Sequence, residues 1–139
     1  MSDTSPRLYT LAEANASLVH LVPTIARLRW LRDEMRRSQE LLDILWQRLE
    51  GSDPVLSSIG ERQRVLDGLL EEFSRIAREV DASGIILRDL DLGLVDFPAR
   101  LRGTPIFLCW KSGEHDVAFW HGTTDGYAGR KSVSTISEW

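Results

Sequence analysis

The sequence predicts an α+β fold: a long antiparallel helical hairpin, with a short kinked N-terminal helix, packed on a small antiparallel β-meander. Two stretches of the first half carry apolar residues every seven positions, and a short loop separates them. After Gly84 the apolar pattern becomes alternating and turn residues become frequent. With 139 residues, 42% of them apolar, the chain is long enough for one core. We therefore predict a single domain at 1–139, with a helical half at 10–83 and a β-meander half at 84–135.

The first helix is predicted to begin at Thr10. The run TLAE at 10–13 is a capping box, in which the Thr10 hydroxyl accepts a bond from an early helical N–H and Glu13 reaches back to the cap. Pro23 lies about three turns later, at 3.6 residues per turn. Because proline lacks a backbone donor and clashes with the preceding turn, we expect a kink or short break near Val22.

Two matched seams predict the hairpin. The segment from about Thr24 to Glu50, ended by Gly51, carries a heptad seam at Leu28, Leu31, Met35, Ser38, Leu42, Leu45 and Leu49. A second capping box, Ser58 and Glu61, predicts the start of the next helix. That helix repeats the seam at Ile59, Leu66, Leu69, Phe73, Ile76 and Val80 and ends at Ser83-Gly84. Antiparallel packing of the two helices is the simplest structure.

Short strands are expected after Gly84, at 85–89, 94–101, 105–111 and 117–121, with a fifth near 130–133. The connections are short, so neighbouring strands should be antiparallel. Pro98 and Pro105 fall within or at the start of strands, and we expect those stretches to be edges or bulges because proline cannot donate to the ladder. One face of the sheet needs a cover, which the hairpin supplies.

Charge and hydropathy argue against several classes of protein. A net charge of −4, with 27% charged residues of both signs, does not favour generic nucleic-acid binding. No apolar run approaches the roughly 20 residues that span a bilayer, and the N-terminus does not resemble a signal peptide. The lone Cys109 has no partner for an intramolecular disulfide. We expect a cytoplasmic protein without membrane association and without a cofactor.

Candidate functional residues concentrate in the β-half. Carboxylates and imidazoles at this density are able to bind a divalent cation or act as an acid–base pair. The candidate ligand or metal site comprises Asp89, Asp91, Asp96, Glu114, His121 and Arg130. The alternative is that the aspartates shape turns, accepting backbone N–H bonds or pairing with Arg88 and Arg100.

Two further features are ambiguous. GYAGR at 126–130 is similar to an anion-binding turn in which Arg130 adds a forked cation, but its glycines are equally suited to a plain turn. Cys109 lies in an apolar run, where a buried thiol is inert as a nucleophile.

The first long helix has more apolar side chains than one seam needs. Trp30, Leu41, Ile44 and Trp46 lie off the seam. Leaving such side chains in water forfeits roughly 1.5 to 3 kcal/mol each, so we expect burial against the sheet or in a homodimer formed through the helices.

Four segments resemble one family: YTLAEANASL at 9–18, IILRDLDLGLVDFPAR at 85–100, LCWKSGE at 108–114 and WHGTTDGYAGR at 120–130. Together they are similar to the bacterial domain-of-unknown-function family 2203 (DUF2203). The resemblance implies a small prokaryotic cytosolic protein and no assigned activity. Residues at the motif positions are Asp89, Asp91, Asp96, Glu114, Trp120, His121, Gly129 and Arg130.

Two functional hypotheses follow. The favoured one is an uncharacterised small cytosolic protein that acts as a non-enzymatic binding or oligomerisation module. The alternative is a metal- or small-anion-binding enzyme with the carboxylate, histidine and arginine site in the β-half, so enzymatic activity stays uncertain. A helical chorismate-mutase-like site is a third hypothesis, which gives the β-half no role.

Overall fold

The structure is a computed structural model that describes residues 7–49 and 53–136. In that part of the chain, α1 (Leu11–Gln47) and α2 (Asp53–Ala82) precede β1 (Ile86–Asp89), β2 (Leu94–Leu101), β3 (Thr104–Trp110), β4 (Phe119–Gly122) and β5 (Lys131–Ser132). Single-turn 3-10 helices lie at Tyr127–Gly129 and Val133–Thr135. The strands form one antiparallel sheet in the order β1-β2-β3-β4-β5. The predicted α+β class, with its β-meander, is confirmed.

The chain forms two compact units. One contains the residues up to Ile25 together with those from Glu79 onward, and the other is Ala26–Arg78. The single domain stays a prediction.

The unit at Ala26–Arg78 is a pair of packed helices. Leu42 of α1 forms a buried cluster with Ile59 and Leu66 of α2, as both seams predict. At the helix surface, both Nη2 and Nε of Arg27 donate to the Glu72 carboxylate, with the shortest N···O distance at 2.8 Å. The helical hairpin is therefore confirmed within this unit.

The start of α2 differs from the prediction. The helix begins at Asp53, and Ser58 lies inside it, where its hydroxyl donates to the Pro54 carbonyl at 3.0 Å. Proline is tolerated in the first helical turn because the N–H groups there have no intrahelical acceptor. The capping box at Ser58 and Glu61 was therefore the wrong helix start. The predicted stop at Glu50 and Gly51 lies outside the described residues.

The first helix begins as predicted but does not break. Glu13 N–H donates to Thr10 Oγ1 at 3.1 Å, and Thr10 N–H donates to the Glu13 carboxylate at 2.9 Å. These bonds from Thr10 lower the pKa of Glu13. Pro23 lies inside α1, so the expected short break near Val22 is wrong. Only one helical bond is lost at a proline, and buried residues on both sides, Leu21 and Ile25, hold the helix in place.

In the unit that contains the sheet, one sheet face forms the core. Val95, Phe97 and Leu108 are fully buried there. Apolar side chains from the beginning of α1 pack into the same cluster: Ala14, Leu18, Leu21 and Ile25. Asn15 is the polar side chain of α1 that joins this region to the loop before β4, because its Oδ1 accepts from Val117 N–H at 2.7 Å.

Pro98 lies in β2, which has a strand on both sides, so β2 is not the predicted edge strand. The pairing of β1 with β2 extends only to Asp96, however, and Pro98 lies beyond it. There the Pro98 carbonyl accepts a bond from Tyr9 N–H at 2.7 Å. Pro105 lies one residue before the segment of β3 that pairs with β4. Both prolines therefore occupy positions where one neighbouring strand is missing.

Tyr9 is tied to this unit at three points. Besides its bond to Pro98, its hydroxyl donates to the Ser83 carbonyl at 2.6 Å, and its ring meets Phe97 edge-on with centroids 5.2 Å apart. Its side chain is almost completely buried.

Across the residues that the structure describes, neither helix combines the length and the apolar content that crossing a bilayer demands.

Candidate functional site

The outer face of the sheet, opposite the core, carries a cluster of polar residues. Side chains alternate along a strand, so the neighbours of core residues point to the other face. Asp96 of β2 pairs with Cys109 of β3, and Phe107 of β3 pairs with His121 of β4. Cross-strand pairing thus brings Asp96, Cys109 and His121 together, with exposures of 2%, 0% and 3%. They form the floor of a pocket of about 350 Å³, which we call the outer-face pocket.

The Asp96–His121 pair contains an unusual hydrogen-bond arrangement. His121 Nε2 lies 2.9 Å from Asp96 Oδ1, and His121 Nδ1 lies 2.8 Å from the carbonyl oxygen of Gly122. A carbonyl oxygen and a carboxylate oxygen are both acceptors, whereas a neutral imidazole has one N–H. Both contacts are hydrogen bonds only when the pair holds one more proton than a neutral imidazole beside a carboxylate.

Arg88 lies at the rim of the outer-face pocket. It is the extra residue of a β-bulge between Leu87 and Asp89, and its Nε donates to Asp96 Oδ2 at 2.9 Å. Its guanidinium lies over the Phe107 ring, 5.1 Å from the centroid. The side chain is 44% exposed, and within the described chain its two terminal nitrogens make no hydrogen bond. Arg88 therefore has donors available to a ligand.

Cys109 is buried, as predicted, but its surroundings are polar on one side. One ligand-type atom from each of Asp96, Cys109 and His121 lies within 4.8 Å of the others. Burial, together with the negative charge of Asp96 and against an opposing effect of Arg130, raises the pKa of the Cys109 thiol to about 12. The thiol is therefore protonated at neutral pH, which agrees with the predicted lack of nucleophilic reactivity.

Glu114 and Arg130 form a second pair beside this cluster. Arg130 Nη2 lies 2.7 Å from both carboxylate oxygens of Glu114, and Glu114 Oε1 also accepts from Lys111 N–H at 2.7 Å. The guanidinium lies over the rings of Phe119 and Tyr127, at 4.0 and 4.8 Å from their centroids. Glu114 thus holds Arg130 in an internal ion pair, which weakens the interpretation of 126–130 as an anion-binding turn.

Gly122 and Gly129 allow the Asp125 side chain to lie close to the backbone of this turn. Gly122 N–H donates to Asp125 Oδ2 at 3.1 Å. A Cβ atom on Gly122 would lie 2.7 Å from that oxygen, and one on Gly129 would lie 2.6 Å from the Asp125 Cβ. Of the two sequence interpretations, the geometry favours the plain turn.

The structure brings together some of the predicted site residues and separates others. Asp96 and His121 share the floor of the outer-face pocket, and the Glu114–Arg130 pair lies close enough to affect Cys109 electrostatically. Asp89 is the exposed last residue of β1 and Asp91 lies in the turn that follows, where Leu92 N–H donates to Asp89 Oδ1 at 3.0 Å. Asp89 therefore has the turn role of the alternative interpretation.

The candidate site predicted from the sequence left out four residues that line the pocket, namely Cys109, Thr123, Thr124 and Tyr127. It named Arg88 only as an ion-pair partner of the aspartates, and the structure confirms that pairing for Asp96. The alternation of Val95, Asp96 and Phe97 was a usable signal, since it places Asp96 on the face opposite two large apolar residues. The bulge at Arg88 had no such signal.

Comparison with known proteins gives one match. The family model described as "Uncharacterized conserved protein (DUF2203)" matches residues 7–133. No curated protein and no solved structure matches the chain.

Proposed function

We propose that this chain, which belongs to the DUF2203 family, is a binding protein that takes a small anionic molecule in the outer-face pocket. The family description names no activity, so the proposal depends on the site. The observation that carries it is Arg88, which Asp96 holds at the rim while its terminal nitrogens stay available. Planar guanidinium donors match carboxylate and phosphate oxygens, often through two bonds.

The charge of the pocket supports an anion. Arg88 is positively charged at any physiological pH, and a doubly protonated His121 would leave Arg88, Asp96 and His121 together with one net positive charge. The three groups are held together by short contacts, so their positions are fixed. A preorganised positive site lined by a low-dielectric floor attracts anions more strongly than the same groups do in water.

The rim adds neutral donors, and one of its residues, Tyr127, contacts a lysine outside the pocket. Thr123 and Thr124 are exposed, and neither hydroxyl makes a hydrogen bond within the described residues. Lys111 Nζ lies 3.0 Å from the Tyr127 hydroxyl, and this contact lowers the pKa of Tyr127. These groups are suited to fixing the orientation of a ligand with several oxygens.

The proposal is for binding, not covalent catalysis, because the thiol on the pocket floor is protonated at neutral pH. The raised pKa of Cys109 leaves it a poor nucleophile. Of the two hypotheses from the sequence, the proposal keeps the non-enzymatic role of the first and the small-anion site of the second.

A thermal-shift screen tests the proposal. Phosphate, phosphorylated metabolites and di- and tricarboxylates are added singly to the full chain. At a concentration 100 times its Kd, a ligand adds about 2.7 kcal/mol of stability. For a chain of this length that raises Tm by about 10 °C.

Two arginine variants sharpen the screen. Arg88→Gln should weaken the responding anion by about tenfold or more, since a hydrogen bond to a charged group contributes about 1.5 to 3 kcal/mol. Arg100→Gln is the matched control, because Arg100 is an exposed arginine of β2 that does not line the outer-face pocket. If no anion raises Tm, or if Arg88→Gln binds as tightly as Arg100→Gln, the proposal is wrong.

Homodimerisation through the helices stays a second proposal, and one observation favours it. In the unit at Ala26–Arg78, Trp30 is 47% exposed and Trp46 is 54% exposed, and Leu41 and Ile44 are also exposed. A second copy would remove these side chains from water. Light scattering on the wild type and on Trp46→Gln would detect a dimer, and a wild-type mass of one chain would contradict it. A cytoplasmic location likewise stays a prediction.

A further inference from the structure

We propose that Asp96, Cys109 and His121 bind a divalent transition metal of the zinc type. This inference goes beyond anion binding and does not depend on it, because it concerns the floor of the pocket and not its rim. The site is assembled by three neighbouring strands, β2, β3 and β4, each of which contributes one side chain. A sheet holds such positions more precisely than a loop does.

The distances are close to those of a metal centre. The carboxylate oxygen, sulfur and imidazole nitrogen lie within 4.8 Å of one another, and the Asp96–His121 contact is 2.9 Å. In a tetrahedral zinc site, with bonds of about 2.0 to 2.3 Å, ligand atoms lie about 3.5 Å apart. Shifts of roughly 1 Å or less, within the reach of small side-chain rotations, give that geometry.

The orientation of His121 supports a metal at Nε2. Metal-binding histidines usually donate the proton of the other ring nitrogen to a carbonyl or carboxylate. Here Nδ1 lies 2.8 Å from the Gly122 carbonyl oxygen, which accepts a hydrogen bond when the ring proton is on Nδ1. In that tautomer Nε2 directs its lone pair at Asp96 Oδ1, 2.9 Å away, and a metal ion between these two atoms would be bound by both.

The exchange balances in charge and in atoms. Binding forms metal–oxygen, metal–nitrogen and metal–sulfur bonds. It breaks the Cys109 S–H bond, and that proton leaves to the solvent, so at least one proton is released for each divalent ion that enters. No oxidant or reductant is involved, and the positive charge at Arg88 remains available to an anion.

The donor set selects the class of metal. Thiolate and imidazole ligands favour Zn²⁺ and similar ions over Mg²⁺ and Ca²⁺, which prefer oxygen. Arg88 bonds to the other carboxylate oxygen of Asp96, which orients Oδ1 toward the centre of the cluster. Three protein ligands leave one coordination position, and the cluster faces the outer-face pocket.

Titration of the reduced full chain with Co²⁺ tests the inference, because cobalt reports its own ligands. We expect one ion per chain, a thiolate-to-cobalt charge-transfer band in the near ultraviolet and the intense visible bands of a tetrahedral site. Zn²⁺ should displace Co²⁺ and abolish the visible bands. In a weakly buffered solution, binding of Zn²⁺ should release at least one proton per ion, from the Cys109 thiol.

Variants locate the site. Cys109→Ser should lose the charge-transfer band, and His121→Gln should weaken binding by about tenfold or more, the range found when metal-site groups are altered. His115→Gln is the matched control, because the His115 side chain is completely exposed and lies in the turn before β4. Circular dichroism identifies any variant that does not fold. If Cys109→Ser does not fold, the thiolate-to-cobalt band of the wild type still identifies Cys109 as the sulfur ligand, because the sequence has one cysteine.

Two results would overturn the inference: no binding of Co²⁺ or Zn²⁺ to the wild type, or binding without a thiolate band. Loss of binding in His115→Gln, with binding intact in Cys109→Ser, would also overturn it. The metal titration contains no added anion and the thermal-shift screen contains no added metal. Either proposal is therefore able to fail while the other holds.

Discussion

Removing Asp96 or His121 should destabilise the protein, and removing both should cost less than the sum of the two. Asp96 makes two charged hydrogen bonds, each 2.9 Å long, to His121 and to Arg88. The bond to buried His121 contributes about 2 kcal/mol, in the range for bonds to charged groups. The bond to half-exposed Arg88 contributes about 1 kcal/mol at most. Asp96→Ala should therefore lower the free energy of unfolding by about 3 kcal/mol.

His121→Ala should cost about as much, since it loses the same bond and leaves a cavity where the ring lay. The shared bond is counted twice when the single losses are added. We therefore expect the double variant to lose about 4 kcal/mol, which corresponds to a coupling free energy of about 2 kcal/mol. In thermal unfolding, the loss for each single variant should appear as a fall in Tm of about 12 °C.

Urea unfolding followed by circular dichroism measures all four proteins of this cycle. Asp116→Ala is the control, because Asp116 is an exposed aspartate of the same half and should change stability by no more than about 0.5 kcal/mol. Equal m-values are needed for the comparison. If the losses of the two single variants add without coupling, the hydrogen bond between Asp96 and His121 does not stabilise the fold, and the reasoning from their 2.9 Å contact is refuted.

Four further predictions concern the stability of the fold. Leu108→Ala should lower the free energy of unfolding by about 2 to 5 kcal/mol in urea, since Leu108 is fully buried in the sheet core; a loss below about 1 kcal/mol would contradict that packing. Thr10→Ala should cost about 1 kcal/mol through loss of the N-cap. Glu13→Gln should be less stable than wild type at neutral pH and equally stable in acid. A carboxyl group whose pKa is lowered by folding stabilises the fold at any pH above its unfolded pKa, and this contribution is lost as the pH falls through the lowered, folded-state pKa. The Cys109 thiol has the opposite effect on the pH dependence of stability. The unfolded chain loses this proton near pH 9.0 and the folded chain near pH 12, so the free energy of unfolding should fall as the pH rises across that interval. An equally steep fall in Cys109→Ala would show that the thiol is not its cause.

Much of the fold was predictable because periodicity is a local signal. The seam residues Leu28, Leu31 and Leu42 are buried, and the strands after Gly84 lie within a few residues of the predicted ranges. Helix ends were harder. Pro54 was expected to prevent a helix, but proline disrupts a helix only in its interior. In the first turn, where Pro54 lies, it removes no helical hydrogen bond. Pro23 does lie inside a helix, and α1 is continuous there although one backbone donor is missing, because residues before and after the proline are buried.

The site was less predictable because it depends on register. Asp96 and His121 are 25 residues apart, and only the pairing of three strands makes them neighbours. Cys109 was correctly predicted to be buried, but its local run is apolar and gives no sign of the carboxylate directly opposite it in β2. Arg88 reaches the pocket through a bulge, which composition does not reveal. The density of acidic residues in the sequence also favoured Asp89 and Asp91, which lie at the exposed end of β1 and in the turn after it.

The contacts of Tyr9 are able to form only after a much later part of the chain has been synthesised. Its hydroxyl partner, the carbonyl of Ser83, lies 74 residues further along, and its backbone partner, Pro98, is later still. Tyr9 is synthesised before these partners and stays without them until the second helix and the second strand have followed it. Without Tyr9, the stretch of β2 beyond Asp96, which has no β1 neighbour, would be open to pairing with other chains.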